Sequence, residues 1–469
     1  MEKPTSLRGL VRSALISLLL LTLILAPRPL AGYLDLAHAR RFEALENYSG
    51  AASAYASAAQ RIPWQPSLWE KAGQIAWFAG DRENAFACLS KAGERDALSQ
   101  WGWVYLGEAY QQRGDATSAM AAWERALPSA QAYGLLAQVQ RRNGDFPVAI
   151  ANWQASLAQA SDNAAAHCQL GLLLAATAPG DALPELMRAA ELDPSLDAQV
   201  QSLRTALNTA SLSGDPAYQF LVSGRALGAL GEWDLAAEAF RNATAVYSDY
   251  AEAWAWLSEA KQQQGQDGKI EIERALVLNP DSAMLQGLYG IYLQRQKQPE
   301  KAITAFQKAA ELEPESPGWQ MALGGAYEQT GDLVAALDHY QRATELAPDE
   351  ATSWQALAEF SLRNGVDLTG TALPAARRLM ELANDDWQSY DTAGQILLET
   401  GNPVGAEILL KKAIELAPTQ AAPSLHLGLL YLQSGDRTAA YFYLDQAKVF
   451  DSDGPYGWQA KHLLEQYFP

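Results

Sequence analysis

The sequence is poor in the residues that usually carry chemistry. It holds two cysteines, Cys88 and Cys168, and five histidines, His38, His167, His339, His426 and His462, in 469 residues. The histidines are scattered, and no HExxH or CxxC pattern occurs, so no metal site is expected. There is no glycine-rich phosphate loop and no G-x-S-x-G. Acidic residues are many, but no two stand out as an acid and base pair. No catalytic residue and no cofactor are therefore expected, and the chain does not read as an enzyme.

Positive charge is also scarce. Lysine and arginine number 35 against 54 aspartate and glutamate, a formal net charge of −19. The first 31 residues hold four basic residues and one acidic, so the remainder is more acidic still, with 31 basic against 53 acidic. Such a surface repels nucleic acid and anionic lipid, which excludes both as general partners of residues beyond 31. Its simplest role is to keep a long alanine-rich chain soluble.

Long apolar runs are lacking too. Lys3, Arg8 and Arg12 precede an uncharged run from Ser13 to Ala26, 14 residues long. That length suits a cleavable signal peptide better than a membrane span. The cleavage chemistry argues the other way: Ala26 is followed by Pro27, and a cut after Ala31 would place Pro29 three residues back. No cysteine follows the run, so a lipoprotein is excluded. If Arg12 snorkels, Leu10 to Leu30 could span the bilayer with Arg28 near the far interface. The expectation is a single-pass anchor in the cytoplasmic membrane through residues 10–30, N-terminus inside and the rest outside. Secretion after signal cleavage is the alternative.

Alanine, leucine, glutamine and glutamate abound while β-branched residues are few, so the class is all-α. The stretch from 103 to 126 sets the pattern. Trp103, Leu106, Gly107 and Tyr110 fall at i, i+3, i+4 and i+7, one face of a helix. Gly114 can end that helix in a left-handed conformation, and Asp115 can cap the next. Ala119, Trp123 and Ala126 line one face of the second helix. Gly107 and Ala119 are small, which lets the two helices approach closely.

This hairpin resembles the tetratricopeptide repeat, W-x2-L-G-x2-Y…A-x3-F…P over 34 residues, with Trp123 in place of phenylalanine. The Gly107 position recurs as Ala39, Gly73, Gly107, Ala137, Gly171, Gly224, Ser258, Gly290, Gly324, Ala358, Gly394 and Gly428. Seven of the eleven spacings are 34 residues. The resemblance implies a right-handed helical-hairpin solenoid of about 12 repeats. Residues 1–31 form the anchor or signal segment. Repeats 1–5 occupy 32–196 and repeats 6–12 occupy 217–454. Between them, 197–216 form an extra helix and loop, in which Leu196, Val200, Leu203 and Leu207 keep helical spacing. That odd helix either bends the array or is a decayed repeat that still stacks. Two residues are lost near Gly265–Gly268 and two gained near Val366–Thr371. Residues 455–469, with Tyr456, Gln459, Leu463 and Tyr467, form a C-terminal capping helix, which a solenoid needs to cover its last apolar face.

By the same resemblance, the first helices of the repeats line a concave groove that binds protein or peptide segments. Chaperone-type clamping of a C-terminal carboxylate does not carry over, because no basic residue occupies the fifth position of any repeat. The groove positions hold aromatics and acids instead: Trp77, Phe78, Trp101, Tyr105, Glu108, Trp256 and Glu259. Trp77, Trp101 and Tyr105 should converge between two adjacent first helices, with Glu70 and Glu108 beside them. They either receive a partner or fill the seam between repeats. Trp69, Trp103, Trp123, Trp153, Trp254 and Trp354 are core by register. The expected function is a protein-interaction scaffold. The alternative is a polysaccharide-handling module of an exopolysaccharide or cell-envelope assembly system, since aromatics beside carboxylates also suit sugar rings.

Overall fold

The computed structural model describes residues 27–468; most of the expected membrane segment, residues 1–26, lies outside them. The described residues form 26 α-helices and no strand. None of these helices is long and apolar enough to cross a membrane. The chain divides into two compact units, Met1–Val246 and Tyr247–Pro469.

The first unit is built of helical hairpins. They are α1 (Pro27–Ala44) with α2 (Tyr48–Arg61), and α3 (Ser67–Phe78) with α4 (Arg82–Gly93). Next come α5 (Gln100–Gln112) with α6 (Ala116–Arg125), and α7 (Ala130–Arg142) with α8 (Phe146–Gln159). After α9 (Ala164–Thr177) and α10 (Pro179–Leu192) comes a lone helix, α11 (Asp197–Ser211). The unit closes with α12 (Pro216–Ala229) and α13 (Trp233–Val246).

The second unit repeats the scheme without a lone helix among its pairs. It joins α14 (Ala251–Gln263) with α15 (Lys269–Leu278), α16 (Ala283–Arg295) with α17 (Pro299–Leu312), and α18 (Pro317–Thr330) with α19 (Leu333–Leu346). Then follow α20 (Ala351–Asn364) with α21 (Leu373–Leu382), and α22 (Trp387–Glu399) with α23 (Pro403–Leu416). The last pair is α24 (Ala421–Ser434) with α25 (Arg437–Phe450), and α26 (Pro455–Tyr467) packs on both.

One packing rule recurs in most of the hairpins. The small residue of the first helix faces a large side chain of the second, sixteen residues later in most hairpins. A methyl group added at Gly107 would stand 2.3 Å from Nε1 of Trp123. At Gly224 and Gly290 the obstacles are Phe240 and Phe306, and at Gly73, Gly394 and Gly428 they are Leu89, Leu410 and Leu444. Here glycine is needed for close approach, and the large side chain closes the core around it. The fourth hairpin shows the same rule displaced. Trp153 lies over Gly134, 3.0 Å from where its Cβ would be, which leaves room for alanine at 137.

The turns follow the sequence as well. Gly114 adopts φ +78 and Asp115 accepts from the Ser118 amide at 3.0 Å. The same pairing of left-handed glycine and capping carboxylate recurs at Gly80–Asp81, Gly331–Asp332 and Gly435–Asp436. The two irregular spacings have local causes. Between Ser258 and Gly290 the shortened loop brings Gly268 onto α14, where a Cβ would meet the Ser258 carbonyl oxygen at 2.6 Å. The two extra residues near 366–371 are absorbed by a turn of π-helix, Leu368–Ala372.

Helix α11 buries Val200, Leu203, Leu207 and Ala210 against α10 and α12. Stacking of the pairs on either side nevertheless continues, because α9 still packs on α12 and α13. Ser223 donates to the Ala175 carbonyl at 2.5 Å and Asn242 to the Ala176 carbonyl at 3.1 Å. Arg141 ties α7 to the same corner through Glu232, Asp234 and Gln169.

Of the six tryptophans assigned to the core, Trp69, Trp103, Trp123 and Trp153 are buried. Trp254 and Trp354 are only half-buried. Each donates from its indole N–H to the carbonyl six residues earlier, Ser248 or Pro348, at 3.0 and 2.9 Å. These two rings clasp the loop that leads into their helix while packing against the edge of the hairpin core. Cys88 and Cys168 are free and buried, and burial pushes the Cys88 thiol up to about 11.

Candidate functional site

In the first unit the groove residues come from the end of α3 and the start of α5. Trp77 and Phe78 are the last two residues of α3. Trp101 and Tyr105 lie one turn apart on α5, so both rings lean toward α3. Tyr105 meets the Trp77 ring edge-on at 4.9 Å between centroids. Trp101 and Tyr105 are 4.2 Å apart, and Phe78 lies 6.1 Å from Trp101. The expected convergence is present, and Phe78 extends it into a row of four rings.

Their exposure divides the two readings between different residues. Trp77 is 8% exposed and belongs to the core cluster of α1 to α5, so it fills the seam. Arg82 covers its outer face, with the guanidinium 3.9 Å from the ring centroid and an N–H donated to the Trp77 carbonyl at 3.0 Å. Trp101 and Tyr105 are half-buried, and Phe78 is 65% exposed. Phe78 and Trp101 are the part of the row a partner can reach.

The neighbouring acids are less available than the sequence suggests. Glu70 accepts from both the amide and the hydroxyl of Ser99, at the start of α5. It serves the helix junction and is not free to meet a partner. Burial raises the Glu108 carboxyl above its ordinary range, outweighing a hydrogen bond from Gln131 and the charge of Arg82.

Trp256 and Glu259 lie on α14, in the second unit, and form a separate group. Glu259 is 8% exposed. Arg295 holds it with two N–H donors, at 2.6 and 2.8 Å, and Gln263 adds a third at 2.8 Å. Its carboxylate is a fully bonded structural group joining α14 to α16.

Sequence reasoning missed a cavity of about 530 Å³ in the second unit. It lies on the first-helix side, between α20, α22, α24 and α26. Asp391 forms its floor, buried, and accepts from His426 Nδ1 at 2.8 Å and Gln395 at 3.0 Å. Glu359, Glu399, Trp387 and Tyr456 line it as well. The available signal was Asp391 itself, an acid at a groove position on a helix of otherwise small and apolar inward residues. Its converging partners sit 35 residues away at His426 and 65 away at Tyr456, beyond any local pattern.

Comparison with known proteins agrees with the hairpin geometry. A tetratricopeptide-repeat family model matches residues 135–197, 221–269 and 289–351. A tetratricopeptide repeat-containing protein of Pseudomonas aeruginosa is 41% identical over 56 residues, 12% of this chain. The chain spans about half the length of that curated relative, 53%. Among solved structures, the chain is similar to the Cut9–Hcn1 hetero-tetramer of the APC/C. The identity is 16% and the TM-score 0.44, over 96% of this chain and 99% of that one. It is also similar to yeast Tom70, at 15% identity and a TM-score of 0.43 over 93% and 95% of the two chains. A small residue packed under a large one in hairpin after hairpin, and a family match over three stretches of the array, show that the chain carries tetratricopeptide repeats at residues 135–197, 221–269 and 289–351.

Proposed function

We propose that the chain is a non-catalytic scaffold that binds segments of other proteins on the face formed by its first helices. In this reading it works outside the cytoplasmic membrane, tethered through residues 10–30 or exported. The observation that carries the binding reading is the row of rings from Phe78 to Trp101 and Tyr105. A ring buried on a partner removes about 150–250 Å² from water, enough to anchor a short segment. Trp77, already packed, gives the row a rigid back.

The test places a photo-crosslinking residue at Phe78 in the producing cells. A control carries it at Val148, which is 41% exposed on the second helix α8. Protein adducts should form at 78 and not at 148, and Trp101→Ala with Tyr105→Ala should remove them while the melting temperature holds. Equal labelling at both positions, or adducts indifferent to the double substitution, would overturn the reading. Adducts made of carbohydrate would favour the polysaccharide alternative. The tether is tested apart, by whether the mature chain begins near Met1 and stays with membranes after carbonate washing.

A further inference from the structure

We infer that the cavity between α20, α22, α24 and α26 is a receptor for a basic side chain, lysine or arginine, on a partner polypeptide. Three carboxylates face it: Glu359, Asp391 and Glu399. The one guanidinium in its wall, Arg363, is already engaged. It donates to both oxygens of Glu328 at 3.1 Å and lies 4.0 Å from Glu359. That leaves an excess of negative charge around a concave space.

The fixed hydrogen bonds sharpen the selection. Asp391 is nine-tenths buried, yet its two oxygens accept one bond each, from an imidazole and from an amide. A carboxylate oxygen that accepts a single hydrogen bond keeps a free lone pair, and an entering cation would offset part of the cost of its burial. Glu399, on the exposed rim, has no hydrogen bond or ion pair among the described residues. Trp387 and Tyr456 place aromatic rings beside the carboxylates, a setting that favours guanidinium or ammonium. A neutral sugar would satisfy the rings but bring no positive charge to Glu359 and Glu399, so the cation is the better fit. The volume lies within the usual range of about 300–1,000 Å³ for ligand sites. The cavity opens on the first-helix face, along which a polypeptide segment can lie.

This inference rests on the protein-binding reading only in taking the cation from a polypeptide, and it stands or falls separately from the ring row of the first unit. The probe is Nα-acetyl-arginine methylamide, added to the full-length protein and followed by saturation-transfer NMR. Nα-acetyl-citrulline methylamide, equal in shape but uncharged, and N-acetylglucosamine are the comparison ligands. The arginine derivative should bind saturably and the other two should not. Glu359→Gln with Glu399→Gln should weaken binding at least tenfold. The same charge change on exposed acids outside the cavity, Glu311→Gln with Glu315→Gln, should alter it less than twofold. Trp101→Ala with Tyr105→Ala should leave it unchanged. Equal binding of citrulline, preference for the sugar, or equal loss in the two double-glutamine variants would overturn the assignment.

Discussion

Replacing Gly107 by alanine probes the packing rule that recurs in most of the hairpins. The new methyl would stand 2.3 Å from Nε1 of Trp123, 2.5 Å from Cδ1 and 2.8 Å from Cε2. Trp123 is 1% exposed, and its indole N–H donates to the Val104 carbonyl at 3.1 Å. The ring therefore has little room to withdraw. Overpacking of this kind costs about 1–3 kcal/mol. If the ring does withdraw, its indole donor is left buried and unpaired, for about 1–3 kcal/mol more. Alanine's better helix propensity returns about 1 kcal/mol. The expected balance is a net loss of about 1–5 kcal/mol. Repeats couple mainly to their neighbours, so amide exchange should accelerate in α5 and α6 before it changes in α9 or α12. A thermal melt gives the total and hydrogen exchange gives the location. Trp123→Ala removes the ring that the new methyl meets, so the double variant should lose less than the two singles summed, by about 1 kcal/mol. A Gly107→Ala protein that melts at or above the parent, or strictly additive losses, would refute the reasoning.

Leu106 is 3% exposed, and Leu106→Ala should cost about 2–5 kcal/mol, read from the melt, with exchange rising first in its own and adjacent hairpins. Burial alone would raise the Glu259 carboxyl, but hydrogen bonds from Arg295 and Gln263 and the charge of Arg295 hold it below its ordinary range. A depressed carboxyl stabilises the fold above its unfolded pKa of about 4.3 and loses that contribution as pH falls through the lower folded value. Glu259→Gln should therefore melt below the parent at pH 7, by about 1–3 kcal/mol after discounting for the partly exposed Arg295, and the difference should shrink below about pH 4. Both thiols are buried and raised above the ordinary range, so mass spectrometry at pH 8 should find the native chain essentially unmodified by iodoacetamide and the denatured chain alkylated twice.

The sequence by itself determined the hairpin and its recurrence. Helical spacing at Trp103, Leu106, Gly107 and Tyr110, the glycine at 114 and the acid at 115 are local signals, and each controls geometry within a few residues of itself. That is why the left-handed turns, the caps and the positions of the helices could be read directly. The close approach of Gly107 to Trp123 is also legible, because both sit in one hairpin. What only the tertiary structure decided involves residues one or more periods apart. The rings of Trp77, Trp101 and Tyr105 do meet, as their register implies, but which of them stays accessible depends on neighbours that no pattern fixes. Arg82 closes over Trp77 from the next helix, while Phe78 at the helix end is left open. Acids that looked alike in sequence received different tasks for the same reason. Glu70 bonds Ser99 and Glu259 is taken by Arg295, whereas Glu399 stays free at the mouth of a cavity. That cavity needs four helices, α20, α22, α24 and α26, to bring Asp391, His426 and Tyr456 together. Period and composition specify a helix and its partner, because those contacts are close along the chain. The accessible surface of the stack is what remains after every side chain has found its neighbours, and those neighbours are set by packing in three dimensions.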